Sequence, residues 1–274
     1  SSAVPLARRG RAISKIFSAQ LGGTVIGPLI GSFVGVQHMA IIFVLVAILC
    51  TTAAIPVLTS SAIEAHDEQD AVEGELKKIK MNRALLGAMG GAVALGLCVG
   101  AYEACWSLLM QSRHATNLEI GLSWTLFSLP YVFLVRAGGW LADHYDRRKL
   151  ALTGLSVSMC FCIMWPFVSS IYLLMVLCFV EAIGSSMSLP SIQGLLTQQR
   201  SPQELGRVQG LYATAQTASI AISASIAGTF FGINRALPFV LAGGIGGFVL
   251  IGVAIAWSKV PGTSSDVLAL ENNS

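Results

Sequence analysis

Gly138-Gly139-Trp140-Leu141-Ala142-Asp143-His144-Tyr145-Asp146-Arg147-Arg148-Lys149 decides how the rest of this chain is read. Its second half is a knot of ionisable side chains. Residues 118–137 before it and 150–168 after it are long apolar runs. A helix needs about 20 mostly apolar residues to cross roughly 30 Å of hydrocarbon. A charged knot between two runs of that length is a turn at a membrane surface, and the same reading extends outward in both directions.

The whole chain has 274 residues, 54% of them hydrophobic and only 11% charged, where soluble domains carry about 25%. With a mean hydropathy of +0.71, this excludes an ordinary soluble fold. A formal net charge of +3 with no basic patch excludes a nucleic-acid binder. Cys50, Cys98, Cys105, Cys160, Cys162 and Cys178 all sit inside apolar runs, where cysteine behaves as a small hydrophobe and not as half of a disulfide framework.

Runs of spanning length fall at 16–36, 39–58, 84–110, 118–137, 150–168, 171–196, 205–231 and 236–257. Barrel strands are excluded because Ala40 to Cys50 shows no polar alternation. The fold class is therefore all-α, a polytopic bundle of about eight transmembrane helices. Basic residues concentrate on the cytosolic side of membrane proteins, and this set of spans places fifteen of the 17 on one side. Arg113 and Arg235 alone fall on the other. Both termini of the chain are then expected in the cytosol, as is the long linker Thr59 to Arg83. The expected organisation is two spans within 1–58, a cytosolic loop 59–83, a six-helix bundle 84–258 and a cytosolic tail 259–274. The basic segment before the first span has no signal-peptide pattern and reads as the middle of a cytosolic loop, so further sequence upstream of Ser1 is expected.

The approaches to the first and seventh spans also match each other. Gly10-Arg11 precedes Gln20 as Gly206-Arg207 precedes Gln216, at an offset of 196 residues. Ser18-Ala19-Gln20 matches Thr214-Ala215-Gln216, with Pro5 and Pro202 upstream. Six spans separate the two approaches. An even number means the helices run in the same direction, as in a parallel repeat, and a six-helix unit implies a parent of twelve.

The opening stretch resembles the cytosolic signature of the major facilitator superfamily: glycine, any residue, aliphatic, alanine, aspartate, basic, any, glycine, arginine, basic. Gly139, Leu141, Ala142, Asp143, Arg147 and Arg148 match, while His144 and Asp146 depart from it. Gly139 is expected to permit close helix approach, and Asp143 to face the positive end of a neighbouring helix or an arginine. Gly23, Gly27, Gly31 and Gly35, with Pro28 among them, form a stripe suited to close packing and kinking. Residues 23–31 also resemble the antiporter motif of the family's exporters, with Ser14 and Ser32 where that motif has glycine. The resemblance implies that the eight spans correspond to helices five to twelve of a twelve-helix facilitator. It further implies that the third and sixth spans line the central cavity, the fourth and seventh flank it, and the fifth and eighth face lipid.

Intramembrane acids fall on those cavity spans. Glu181 lies about midway along the sixth, where a bare carboxylate is costly, with Gly184, Ser185 and Ser188 on the same helical face. It is expected to carry a coupling proton or bind a cationic substrate; a structural hydrogen bond to a neighbouring helix is the alternative. Glu103 lies near the outer end of the third span beside Tyr102 and Trp106, where an interfacial anchor is an equal account. On the seventh span Gln209, Tyr212, Gln216, Ser219 and Ser223 form one polar face. Gln216 and Tyr212 are substrate-contact candidates there, against plain interhelical hydrogen bonding.

Cys160 and Cys162 lack partners at metal-ligand spacing, and the sequence offers no phosphate loop and no nucleophile with a base. No cofactor, metal or enzymatic activity is expected. The leading expectation is a secondary transporter that exports a small organic solute, coupled to protons, through the cell's plasma (inner) membrane. Its partners would be the substrate, protons and the bilayer, with no nucleic acid. A truncated, non-transporting remnant or a membrane interaction subunit is the alternative.

Overall fold

The computed structural model describes residues 22–34, 38–59, 81–197 and 202–262. Gly10, Arg11, Gln20, Gly35 and the linker 60–80 lie outside the described residues. The chain divides into two units, Ser1–Lys78 and Ile79–Ser274. Within the first are two apolar helices, α1 (Gly22–Val34) and α2 (Met39–Thr59).

The second unit holds α3 (Arg83–Gln111), α4 (Asn117–His144), α5 (Arg147–Met164) with a 3-10 turn Trp165–Phe167, α6 (Ile171–Ser185), α7 (Ser188–Thr197), α8 (Pro202–Ile233) and α9 (Leu237–Trp257). Among the described residues there are no strands. Arg83–Gln111, Arg147–Phe167, Ile171–Thr197, Glu204–Ile233 and Leu237–Trp257 are each long and apolar enough to cross a membrane. These five helices coincide with five of the expected spans to within a few residues.

Helix α3 is the hub, packed against α8, α9 and α5. Its sequence explains why: an added Cβ at Gly96 would stand 2.7 Å from the Gln216 carbonyl oxygen, and one at Gly100 2.5 Å from that of Ile220. A glycine pair four residues apart lets the α8 backbone close on α3, which is how helices associate where lipid removes the hydrophobic drive. Across that seam the Ser223 hydroxyl donates to the Leu97 carbonyl at 2.7 Å. On the α9 side Trp257 fills the space over Gly87, and its indole N–H donates to the Ala84 carbonyl at 3.2 Å. Phe248, Ile251 and Ile255 of α9 are exposed, as a lipid-facing surface requires.

One expectation needs correction. Residues 138–144 were expected in a loop after a span ending at 137, but α4 continues through His144. At 1.5 Å per residue its 28 residues reach about 42 Å, longer than the hydrocarbon, and no breaker follows Pro130 until the Asp146 N-cap. Its start is fixed by a capping box, with Thr116 N donating to Glu119 Oε2 at 2.7 Å. The sixth span, Ile171–Thr197, carries a turn at residues 186–187 between α6 and α7. Pro190 cannot donate to the Ser186 carbonyl. The hydroxyls of Ser185, Ser186 and Ser188 meanwhile bond back to the carbonyls of Glu181, Ile183 and Ser185, competing with helix continuation.

Candidate functional site

The site is built where α3, α4, α5 and α6 meet. Glu181, in the last turns of α6, is 2% exposed. Its Oε1 accepts the Tyr102 hydroxyl proton at 3.2 Å, and Tyr102 in turn accepts the Trp165 indole N–H at 3.2 Å. No basic side chain ion-pairs with Glu181 among the described residues. A carboxyl at this depth in a membrane helix costs about 3 kcal/mol, and this two-step relay is the compensation the fold supplies.

Serines brace the surroundings. Ser185 donates to the Glu181 carbonyl at 2.8 Å, which uses its only proton, so the 2.7 Å contact with Tyr131 is donated by the tyrosine. By the same logic Trp106 donates to Ser123 at 2.8 Å while Ser123 donates to the Ile120 carbonyl at 2.7 Å. Tyr102, Trp106, Ser123, Trp124, Trp165 and Glu181 line a small cavity of about 20 Å³, room for roughly one water. Trp165 is held at its rim by the 3-10 turn, where Arg113 Nη2 donates to the Pro166 carbonyl at 2.7 Å. Burial first, and then the nearby Arg235, lower the pKa of Arg113 from its ordinary value.

The remaining candidates lie elsewhere. Glu103 is exposed, one residue from Tyr102 but on the far side of α3. Of the polar stripe on α8, Ser219 and Ser223 are turned into the seam with Gly96 and Gly100, and Gln216 is half-buried beside them. Tyr212 is 4% exposed, and its buried hydroxyl has no hydrogen-bond partner among the described residues. Gln209 donates to Gln193 of α7. The stripe that includes Glu181 is likewise used for packing: Gly184 abuts Val157, and Ser188 stands against Gly154.

At the α4–α5 turn, close approach falls at Gly138 and not at Gly139. A Cβ on Gly138 would stand 3.2 Å from Pro190 and 3.3 Å from the Ser186 carbonyl, while one on Gly139 meets nothing within 4 Å. The Asp143 side chain lies outside what the structure describes. Arg147 Nε donates to the Ala142 carbonyl at 2.8 Å, and its backbone N–H to the Gly262 carbonyl at 2.9 Å. Arg148 pairs with Asp146 at 2.7 Å and donates to the Val260 carbonyl at 2.5 Å. Asp146, the residue that departs from the family pattern, is thus the N-cap of α5. Hydrogen bonding from Arg148 holds its carboxyl below the usual range. On α1, Gly23, Gly27 and Gly31 have nothing within 4 Å of an added Cβ, and Pro28 is half-buried.

Sequence reasoning singled out Glu181 but not its partners. Tyr102 and Trp106 were read only as neighbours of Glu103, and Trp165 was not noticed at all. Their available signal was i,i+4 aromatic spacing on α3 and a Trp-Pro pair ending α5.

Helices of membrane-spanning length around one buried, braced acid define a polytopic integral membrane protein with an internal polar site. The Major Facilitator Superfamily model matches residues 88–270, and the chain belongs to that family. A probable sulfoacetate transporter of Cupriavidus necator is 27% identical over 104 residues, covering 38% of this chain and 24% of that protein. A class E tetracycline resistance protein of Escherichia coli is 24% identical over 204 residues, covering 69% of this chain and 49% of the relative. The chain therefore spans about half or less of the length of these relatives.

Proposed function

We propose that this chain belongs to a proton-coupled secondary transporter that exports a small organic solute across a plasma membrane by alternating access, with Glu181 carrying the coupling proton. The observation behind this is the Glu181–Tyr102–Trp165 relay: a buried carboxyl with a hydroxyl donor and no ion-pair partner among the described residues is neutral only while it holds a proton, so loading and releasing that proton switches the site between an uncharged and a charged state. Family membership and two relatives named for small organic compounds support solute transport. The relative named for drug resistance favours the outward direction. Residues 1–58 would end one helical bundle and 84–258 form the other, with Asp143, Arg147 and Arg148 closing the cytosolic side.

The test is transport by the full-length protein in proteoliposomes under an imposed proton gradient. Glu181→Gln is expected to abolish gradient-driven flux while leaving downhill exchange. Unchanged proton-driven flux would remove Glu181 from the coupling role. Asp143→Asn should shift the balance between inward- and outward-open states; normal rates and populations would remove the gate.

A further inference from the structure

The outer side of the α3–α9 pair carries an apolar groove with a basic mouth. Trp257 locks the two helices together at one end, lying over Gly87 with its indole N–H on the Ala84 carbonyl. Beside that lock the groove opens between Arg83, where α3 begins, and Lys259, two residues past the end of α9. Its mouth, about 390 Å³, is lined by Arg83, Leu86, Gly252, Ile255 and Lys259. A second stretch, about 470 Å³, shares Leu86, Gly252 and Ile255 with the mouth and continues past Gly90 to Phe248. Gly252 leaves the groove deep, since an added Cβ there meets nothing within 4 Å, while Leu86, Phe248 and Ile255 stand exposed along it.

Charge and depth together select the occupant. Arg83 and Lys259 are both exposed, and neither ion-pairs among the described residues. No carboxylate lines either stretch among those residues. The Ser258 hydroxyl spends its proton on the Ile255 carbonyl at 2.8 Å, so the two cations are the side-chain donors at the mouth and favour an anion there. From Ser258 back to Phe248 is ten residues, about 15 Å along a helix, half of a hydrocarbon core of roughly 30 Å. An anion at the surface with an apolar slot one leaflet deep beneath it matches a phospholipid, whereas a free phosphate would leave the slot unfilled. We propose that this groove binds an anionic phospholipid, its phosphate between Arg83 and Lys259 and one acyl chain laid over Gly252 toward Phe248. The site shares no residue with the Glu181 relay.

The test is lipid retention by the purified full-length protein in micelles holding equimolar phosphatidylglycerol and phosphatidylcholine, read by native mass spectrometry and by melting temperature as each lipid is titrated. Phosphatidylglycerol is expected to be retained at least about tenfold over phosphatidylcholine and to raise the melting temperature saturably. Arg83→Gln with Lys259→Gln should remove that preference. Gly252→Phe, which fills the groove and leaves both charges in place, should weaken retention of phosphatidylglycerol as much. Lys149→Gln, which removes an exposed charge outside the groove, should alter neither readout. Equal retention of the two lipids, a preference that survives the double variant, or retention indifferent to Gly252→Phe overturns the site. So does a loss in Lys149→Gln matching that of the double variant, which would mark diffuse surface attraction, or equal stabilisation by inorganic phosphate, which would mark a free-anion site. If the double variant fails to fold, Gly252→Phe and the phosphate comparison decide.

Discussion

Helix α3 shows two faces of opposite design. Toward α8 it presents Gly96 and Gly100, and the two backbones close until carbonyl oxygens occupy the space of a side chain. Toward α5 and α6 it presents Tyr102 and Trp106, large rings held at angles that leave a cavity. Both faces sit within one helical turn or two of each other. The difference is that close backbone contact forbids movement and water, whereas rigid rings with hydrogen-bonded tips keep a polar group buried with room beside it.

The strongest way to break this contrast is to overfill the seam. Gly96→Leu with Gly100→Leu should cost about 3 kcal/mol or more, because the clash is with backbone and no rotamer relieves it. Loss of the monodisperse detergent-solubilised species and a collapsed melting transition would register this. A mild effect would mean that α8 can slide away, and the seam would not be the rigid face.

On the other face, Tyr102→Phe should lower stability by only about 1 kcal/mol, since the ring packing stays. It should nevertheless change Trp165 fluorescence and slow proton-driven transport. A stability loss as large as that of the glycine pair would erase the contrast. Smaller still, Ser223→Ala removes one interhelical hydrogen bond, worth about 0.6 kcal/mol on average in membrane helices, and its melting shift should be slight with transport unaltered.

The α4–α5 turn sharpens the picture through pH. Asp146 titrates below its ordinary value because Arg148 bonds its charged form. Its contribution is therefore complete above about pH 4 and fades as pH falls through the lower folded value. Hydrogen exchange of the Arg148 amide, which donates to Asp146 Oδ1, and of the Arg147 amide, which donates to the Gly262 carbonyl, should accelerate relative to the intrinsic rate across that acid range. In Asp146→Asn it should be fast already at neutral pH and lack this acid step.

Span positions were legible because length and apolarity are properties of a continuous run. The match of residues 83–111 and 237–257 to expectation follows from that alone. The turn in the sixth span was less legible, since a serine is tolerated in a helix until a proline four residues on leaves a carbonyl unpaired. The signature turn was misjudged for a related reason. Glycine and charge mark the end of the membrane, and a helix has no need to stop there. Gly138 and Gly139 are equivalent by sequence, and only the position of Pro190 and the Ser186 carbonyl tells which of them a neighbour approaches.

What the sequence by itself determined was membrane residence, five of the spans, the family signature and one acid deep within a span. Each of these is carried by residue type and spacing along a single helix. Only the tertiary structure decided what surrounds that acid. Tyr102, Trp165 and Glu181 come from three helices up to 79 residues apart, and their meeting depends on how glycines on α3 and α5 let neighbouring helices close. The seventh span's polar stripe was equally visible in sequence, yet its serines face α3. Helical periodicity says which residues share a face, but which neighbour that face meets is settled by packing.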